Sequence, residues 1–259
     1  MQNPGTVSQA DRLIPGRAEP VIGRAFARPV GSPRGYPPSF DQYRSIFEHR
    51  ARSIAAMAAP IDIYYDFRSP YAYLAWWRIR RQQASSAWKW RWKPVSVDVL
   101  LNLQAGREPL APYVDPLSPP KRKHFLADIR RSAKFFGAPL SPPHQPRPDP
   151  APALCVALQL AQDGIPHDRF IDMVFEAMWQ HRSDIGARDV LANCLISAAL
   201  EEAVIDAAVS PRARSQLVTQ SMQAYETGIF GVPSFVAHDE IFFGADRLDM
   251  LAWRLEQRP

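Results

Sequence analysis

Ser69 stands between an alternating, β-rich run, Ile61-Asp-Ile-Tyr-Tyr-Asp-Phe67, and a stretch that opens Pro70-Tyr-Ala-Tyr-Leu74. A Ser followed by Pro is a helix-start signal: the hydroxyl caps the helix, and a Pro at the first helical position gives up only an N–H that had no partner. The Ser69 Oγ therefore sits where unpaired N–H groups and the helix dipole favour an anion. On these residues alone, an N-cap accounts for Ser69 without any chemistry. Three more positions have equally plain readings. Val232-Pro233 is a turn proline with a candidate cis bond, Asp246 is a first-turn acid that suits a helix dipole, and Lys121 is a solvated Lys near a helix start. The two cysteines, Cys155 and Cys194, have 38 residues between them and supply neither a CxxC pair nor a Cys/His zinc cluster. They fall on apolar helix faces and read as buried structural thiols. His49, His124, His144, His167, His181 and His238 show no ligand spacing such as HxxxH, so we expect no metal.

The elements that must position these side chains follow from pattern. Ile61–Phe67 predicts a strand, residues 70–83 a helix, and Trp88-Lys-Trp-Arg-Trp-Lys93, running on to Val97, a second strand. Strand, helix, strand over so short a span predicts a βαβ unit with parallel strands. Apolar periodicity predicts helices over Lys121–Phe136, Ala153–Gln162, Asp168–His181, Arg188–Leu200 and Ser210–Thr227. Near the end, Ser234–His238 and Ile241–Phe243 read as a hairpin turning at Asp239-Glu240. A final helix follows, with Leu248, Leu251, Trp253 and Leu255 apolar. The fold class is thus α/β: βαβ at one end, ββα at the other, and a helical stretch over 98–227 between them.

The chain has 259 residues, 46% apolar and 22% charged, which suits a soluble globular protein with a sizeable core. No run of 18 apolar residues is present, which excludes a helical membrane span. The formal net charge is +5, a balance that invites a nucleic-acid reading. Residues 1–56, however, hold eight Arg and four acids, so the basic excess lies almost wholly in that arm. Seven of the 26 Pro also fall there. We read residues 1–40 as disordered and Ser39–Ala59 as a possible helix. Near-neutral charge in the rest, and core aromatics as the simpler account of Trp88–Lys93, argue against a nucleic-acid partner. The arm could be a targeting peptide or a partner-binding tail. The reading we favour is initiation at Met57, four residues before the first strand.

The strand-to-helix corner Asp66-Phe-Arg-Ser-Pro-Tyr-Ala-Tyr-Leu-Ala75 resembles the DFxSPYxYL opening of the 2-hydroxychromene-2-carboxylate isomerases and kappa-class glutathione transferases, a DsbA-like branch of the thioredoxin superfamily. Phe230-Gly-Val-Pro-Ser-Phe235 and Phe243-Gly-Ala-Asp-Arg-Leu248 are similar to that family's FGVPTF and WGxDRL segments. Lys121-Arg-Lys-His-Phe-Leu-Ala-Asp128, Phe136-Gly-Ala-Pro-Leu140, and Val174-Phe-Glu-Ala-Met-Trp179 with Asp184-Ile185 also match in order and spacing. The resemblance covers about residues 60–257. It implies a thioredoxin-like domain, residues 60–97 and 228–257, with a large all-helical insertion at 98–227.

The resemblance further implies glutathione as cofactor. Redox members carry CxxC at the corner where this chain reads Ser69-Pro70-Tyr71-Ala72, so dithiol exchange from this position is excluded. In the similar isomerases and transferases the Ser hydrogen-bonds the glutathione thiolate, which together with the helix dipole lowers the thiol pKa; Ser69 takes that role here. By the same resemblance Val232, before a cis Pro233, pairs its backbone with the cysteinyl amide. Asp246, with the Ala245 N–H, binds the γ-glutamyl ammonium end, and Lys121 holds a substrate carboxylate. The implied function is glutathione-dependent cis-trans isomerisation of 2-hydroxychromene-2-carboxylate, or a related small aromatic-degradation intermediate, in the cytoplasm. A kappa-like transferase and a non-catalytic thioredoxin-like binding module are the alternatives, and a homodimer is possible. Two departures bear on the substrate. Arg107, which we expect to bind substrate with Lys121, stands where the family has the Asn of a Gly-Asn-x-Pro stretch, and the family's paired Arg are replaced by a Pro-rich run at 142–152. If Met57 is the start, intact-mass spectrometry of the natively expressed protein will give the mass of residues 57–259. A terminus at Met1 would refute that reading.

Overall fold

The computed structural model describes residues 60–83, 88–144 and 148–257. The expectations for the arm and for a helix over 39–59 lie outside the described residues.

Strand β1 (Ile61–Tyr65) leads into helix α1 (Pro70–Gln83), and β2 (Trp90–Pro94) returns parallel to β1. Helix α2 (Val97–Gln104) follows at once. Then come α3 (Pro119–Phe136), α4 (Ala151–Gln162), α5 (Asp168–Trp179), α6 (Arg188–Ser197), the short α7 (Val204–Ala208) and α8 (Pro211–Glu226). Strands β3 (Ser234–Ala237) and β4 (Glu240–Phe243) form a hairpin, and a 3-10 turn (Ala245–Arg247) opens α9 (Leu248–Glu256). The sheet order is β2-β1-β3-β4, with β3 antiparallel to both neighbours. This is the α/β thioredoxin-like arrangement, βαβ then ββα, that the sequence predicts.

Three local readings need correction. Val97 starts a helix rather than ending a strand, because Ser96 caps α2 by accepting the Val99 N–H. The hairpin turns at His238-Asp239, one residue earlier than expected, since Ala237 pairs with Glu240. Both turn residues have positive φ, 49° and 64°. A two-residue hairpin turn of this hand needs that geometry, and Asp and His tolerate it better than most residues. Trp253 is exposed while Leu248, Leu251 and Leu255 are buried, because the i, i+3, i+7 stripe passes it by.

The helical stretch shares its core with the sheet. Alternation along β1 sends Ile61, Ile63 and Tyr65 inward. Tyr65 meets Phe67 and Trp92 edge-on, at 5.1 and 5.4 Å between ring centroids, and Phe67 meets Phe175 of α5 at 5.0 Å. Trp76 of α1 stacks on the same Phe175. Each such ring, fully buried, contributes roughly 1.5–3 kcal/mol by removal from water. Polar anchors fix the register of α1 on α5: Asp172 accepts from Trp76 Nε1 at 2.7 Å and from Arg80 Nε at 2.5 Å. The Trp179 indole donates to the Phe67 carbonyl at 2.8 Å, pinning the chain just before Ser69.

Asp172→Ala should strand the Trp76 indole N–H, while Arg80 keeps Asp168. An unsatisfied buried donor costs about 1–3 kcal/mol, so we expect the melting temperature to fall by several degrees, read by circular dichroism. An unchanged melting temperature would show that water replaces the carboxylate without cost.

Candidate functional site

The corner between β1 and α1 is built on a buried carboxylate. Asp66 Oδ1 accepts the Arg68 N–H at 2.8 Å, and Oδ2 accepts the Val97 N–H at 2.9 Å. The Asp66 carbonyl accepts the Ser69 N–H at 3.0 Å. Burial pushes the Asp66 carboxyl above the ordinary range, against the lowering pull of Arg68 and the two amides. Arg68 itself pairs with Asp98 of α2 at 2.6 Å. Ser69 is held from two sides. Its Oγ accepts the Ala72 N–H at 3.2 Å, as an N-cap does, and donates to the Val232 carbonyl at 3.3 Å.

The Val232-Pro233 bond is cis, as the sequence suggested. Val232 is buried with Val95, Leu100, Ala224 and Ile229 in a second small core between α2 and α8. The Pro233 carbonyl accepts the Gly244 N–H at 3.0 Å, which ties this loop to the Ala245–Asp246 turn. Gly244 has φ 115°, a backbone conformation that L side chains rarely adopt, so glycine suits this turn. Ala245 is buried, whereas the Asp246 side chain is 66% exposed and lies 3.4 Å from Arg247.

Beside the corner lies a cleft of about 430 Å³, lined by Tyr71, Leu117, Pro120, Lys121, His124 and Phe125. Lys121 therefore shares a cavity with Tyr71, two residues past Ser69. The Tyr71 hydroxyl donates to Asp128 Oδ2 at 2.7 Å, and its ring meets Phe125 edge-on at 5.3 Å. Burial, and then that bond, hold the phenol well above its ordinary pKa; the same bond holds the Asp128 carboxyl low. Tyr71 is thus a persistent donor and Asp128 a persistent anion at neutral pH. Arg107 is not among the residues lining this cleft. Its guanidinium donates to Asn102 Oδ1 at 3.0 Å and to the Pro112 carbonyl at 2.6 Å, clasping the loop after α2.

The structure thus brings Ser69, Val232 and cis-Pro233 into direct contact and links Ala245 and Asp246 to them through one backbone bond. Residue-level reading missed Asp66, Tyr71 and Asp128. The signals were present: an acid ending a hydrophobic strand, and an aromatic in the first turn after the cap. Among the described residues no cluster of His, Cys, Asp and Glu could hold a metal ion, and no helix is long and apolar enough to cross a membrane.

The family model described as the DSBA-like thioredoxin domain matches residues 60–256. The chain belongs to the DSBA-like thioredoxin family. Within that family it is 26% identical over 200 residues to a 2-hydroxychromene-2-carboxylate isomerase from Sphingobium xenophagum, covering 75% of this chain and 97% of that protein. It is 23% identical over 214 residues to glutathione S-transferase kappa 1 of Caenorhabditis elegans, covering 76% and 91%. Among solved structures, a 2-hydroxychromene-2-carboxylate isomerase superposes with a TM-score of 0.62 at 22% identity, over 77% of this chain and 95% of that one. The cytosolic disulfide reductase DsbM from Pseudomonas aeruginosa, solved with GSH, gives 0.54 at 14% identity, over 77% and 96%. In this DSBA-like chain the corner carries Ser69 and Ala72, neither of which has a thiol.

The raised Asp66 carboxyl gives a pH signature. An unfolded Asp titrates near about 3.9. Between that pH and the higher folded value, the folded state keeps a proton that the unfolded chain has lost, so rising pH costs the wild type stability. Asp66→Asn lacks this term. In urea titrations from about pH 3 upward, the stability difference between wild type and variant should move in the variant's favour. Movement the other way would mean the two amides and Arg68 outweigh burial.

Proposed function

We propose that this chain is a glutathione-dependent cis-trans isomerase acting on 2-hydroxychromene-2-carboxylate or a related conjugated acid from aromatic degradation. The observation that carries the reading is the Ser69 Oγ, set at the N-terminus of α1 and within 3.3 Å of the carbonyl before cis-Pro233. That is a place for an anion with a backbone strand edge beside it. The thiol that the corner lacks would come from glutathione. On binding, the Ser69 O–H turns from the Val232 carbonyl to the thiolate. The cysteinyl amide pairs with the Val232 backbone so released, and the γ-glutamyl end meets Ala245 and Asp246. The isomerase and kappa transferase names of the relatives support the assignment.

The chemistry balances without an oxidant. The thiolate sulfur attacks the conjugated double bond, a C–S bond forms, and the π electrons move onto the carbonyl oxygen as an enolate. The former double bond, now single, rotates. The enolate then pushes its electrons back, the C–S bond breaks and the thiolate leaves unchanged, so one high barrier becomes two lower ones. Lys121 supplies positive charge for the substrate carboxylate and the enolate. Tyr71, kept protonated by burial and Asp128, gives its one hydroxyl hydrogen to Asp128 and leaves its oxygen lone pairs as acceptors.

Ser69→Ala should lose most glutathione-dependent turnover, a fall on the order of 10²-fold or more if the hydroxyl acts as one preorganised donor. Glutathione should remain unconsumed. Depletion one for one with substrate would instead favour a kappa-like transferase, which the Caenorhabditis elegans relative supports. Turnover that is equal with and without glutathione would overturn both, and failure to bind glutathione would favour a binding module.

A further inference from the structure

Arg78 lies on the helix that Ser69 caps, yet it is only 5% exposed and reaches across to the turn after β4. One guanidinium nitrogen donates to the Ala245 carbonyl at 2.7 Å, and the other to Asp249 Oδ1 at 2.7 Å. The group lies over the Phe136 ring, 4.6 Å from its centroid. A buried guanidinium is costly unless paired, and an apolar residue would fill such a site at no such penalty. The fork's two partners are the residues on either side of the turn that carries Asp246.

The bonds around this turn set both peptide planes flanking Ala245. The N–H and C=O of a trans peptide point in opposite directions. Arg247 N–H holds the Gly244 carbonyl at 3.1 Å, which fixes the direction of the Ala245 N–H. Arg78 holds the Ala245 carbonyl, which fixes the direction of the Asp246 N–H. Pro233, next to Val232, takes the Gly244 N–H.

We infer that Arg78 is a positioning residue for the γ-glutamyl end of glutathione, acting through the Ala245–Asp246 turn. This inference rests on the glutathione reading above. Lys at 78 would keep the charge but lose the two-pronged fork.

Calorimetry on the full chain with glutathione and with cysteinylglycine, which lacks the γ-glutamyl group, tests it. Arg78→Lys should weaken glutathione about tenfold and leave cysteinylglycine within about twofold. Asp249→Asn, at a carboxylate 68% exposed and therefore safe for folding, should show the same ligand selectivity at smaller size. In an Asp246→Ala background the effect of Arg78→Lys on glutathione should shrink, because the two act on one contact. Equal weakening of both ligands would reduce Arg78 to a general staple and overturn the inference, with the glutathione reading intact. Absence of glutathione binding by the wild type would overturn the reading and the inference together.

Discussion

The carboxylate of Asp66 accepts the N–H groups of Arg68 and Val97, and so ties the end of β1 to the approaches of both α1 and α2. Hydrogen-bond need explains why an acid is kept where water does not reach. The first N–H groups of a helix have no partner in the helix, and Val97 is the first residue of α2. Burial raises the energy of the charged form, yet removing the acceptor would strand two donors. Everything functional is referenced to this corner. Ser69 follows three residues on, α1 runs from it, and the loop before β3 closes against its hydroxyl.

Helix α1 then works as a rod with three stations. Its N-terminus is capped by the Ser69 hydroxyl. Its middle is locked by Trp76 and Arg80 onto Asp172 of α5, against an aromatic cluster that includes Phe67 and Phe175. Between Trp76 and Arg80, Arg78 grips the turn after β4. The cleft side carries the opposite chemistry: Tyr71 and Asp128 form one donor-anion pair, with Lys121 as the flexible charge near it. The proposed division between a thiol cofactor and a substrate rests on this contrast between a hydrogen-bonded Ser69 corner and an aromatic-walled cleft.

The sequence made the fold legible where a residue type has one physical reason to be there. Ser69-Pro70 and Ser210-Pro211 mark helix starts, and the alternation of Ile61, Ile63 and Tyr65 marks the central strand. The α2 start was misread because Val95-Ser-Val97 carries strand-forming residues, and the decisive cap bond from Ser96 is invisible without its geometry. The hairpin slipped by one residue because Asp239-Glu240 is a plausible turn in isolation, whereas cross-strand pairing decides the register. The site residues that the motifs name were legible, while their supports were not. Asp66, Asp128 and Arg78 act through partners from 31 to 171 residues away, separations that no local pattern encodes.

The two thiols elsewhere in the fold have a use in solution. Cys155 on α4 and Cys194 on α6 are buried, and burial pushes each thiol up to about 11. An alkylating reagent needs an exposed thiolate, so neither sulfur can react until its helix opens. With no thiol at the Ser69 corner to compete, the rate at which a maleimide or disulfide reagent labels the native chain becomes a clock for opening of the helical stretch. The molecule carries its own pair of reporters, one on each of two helices, for how often the core that those helices share with the sheet comes apart.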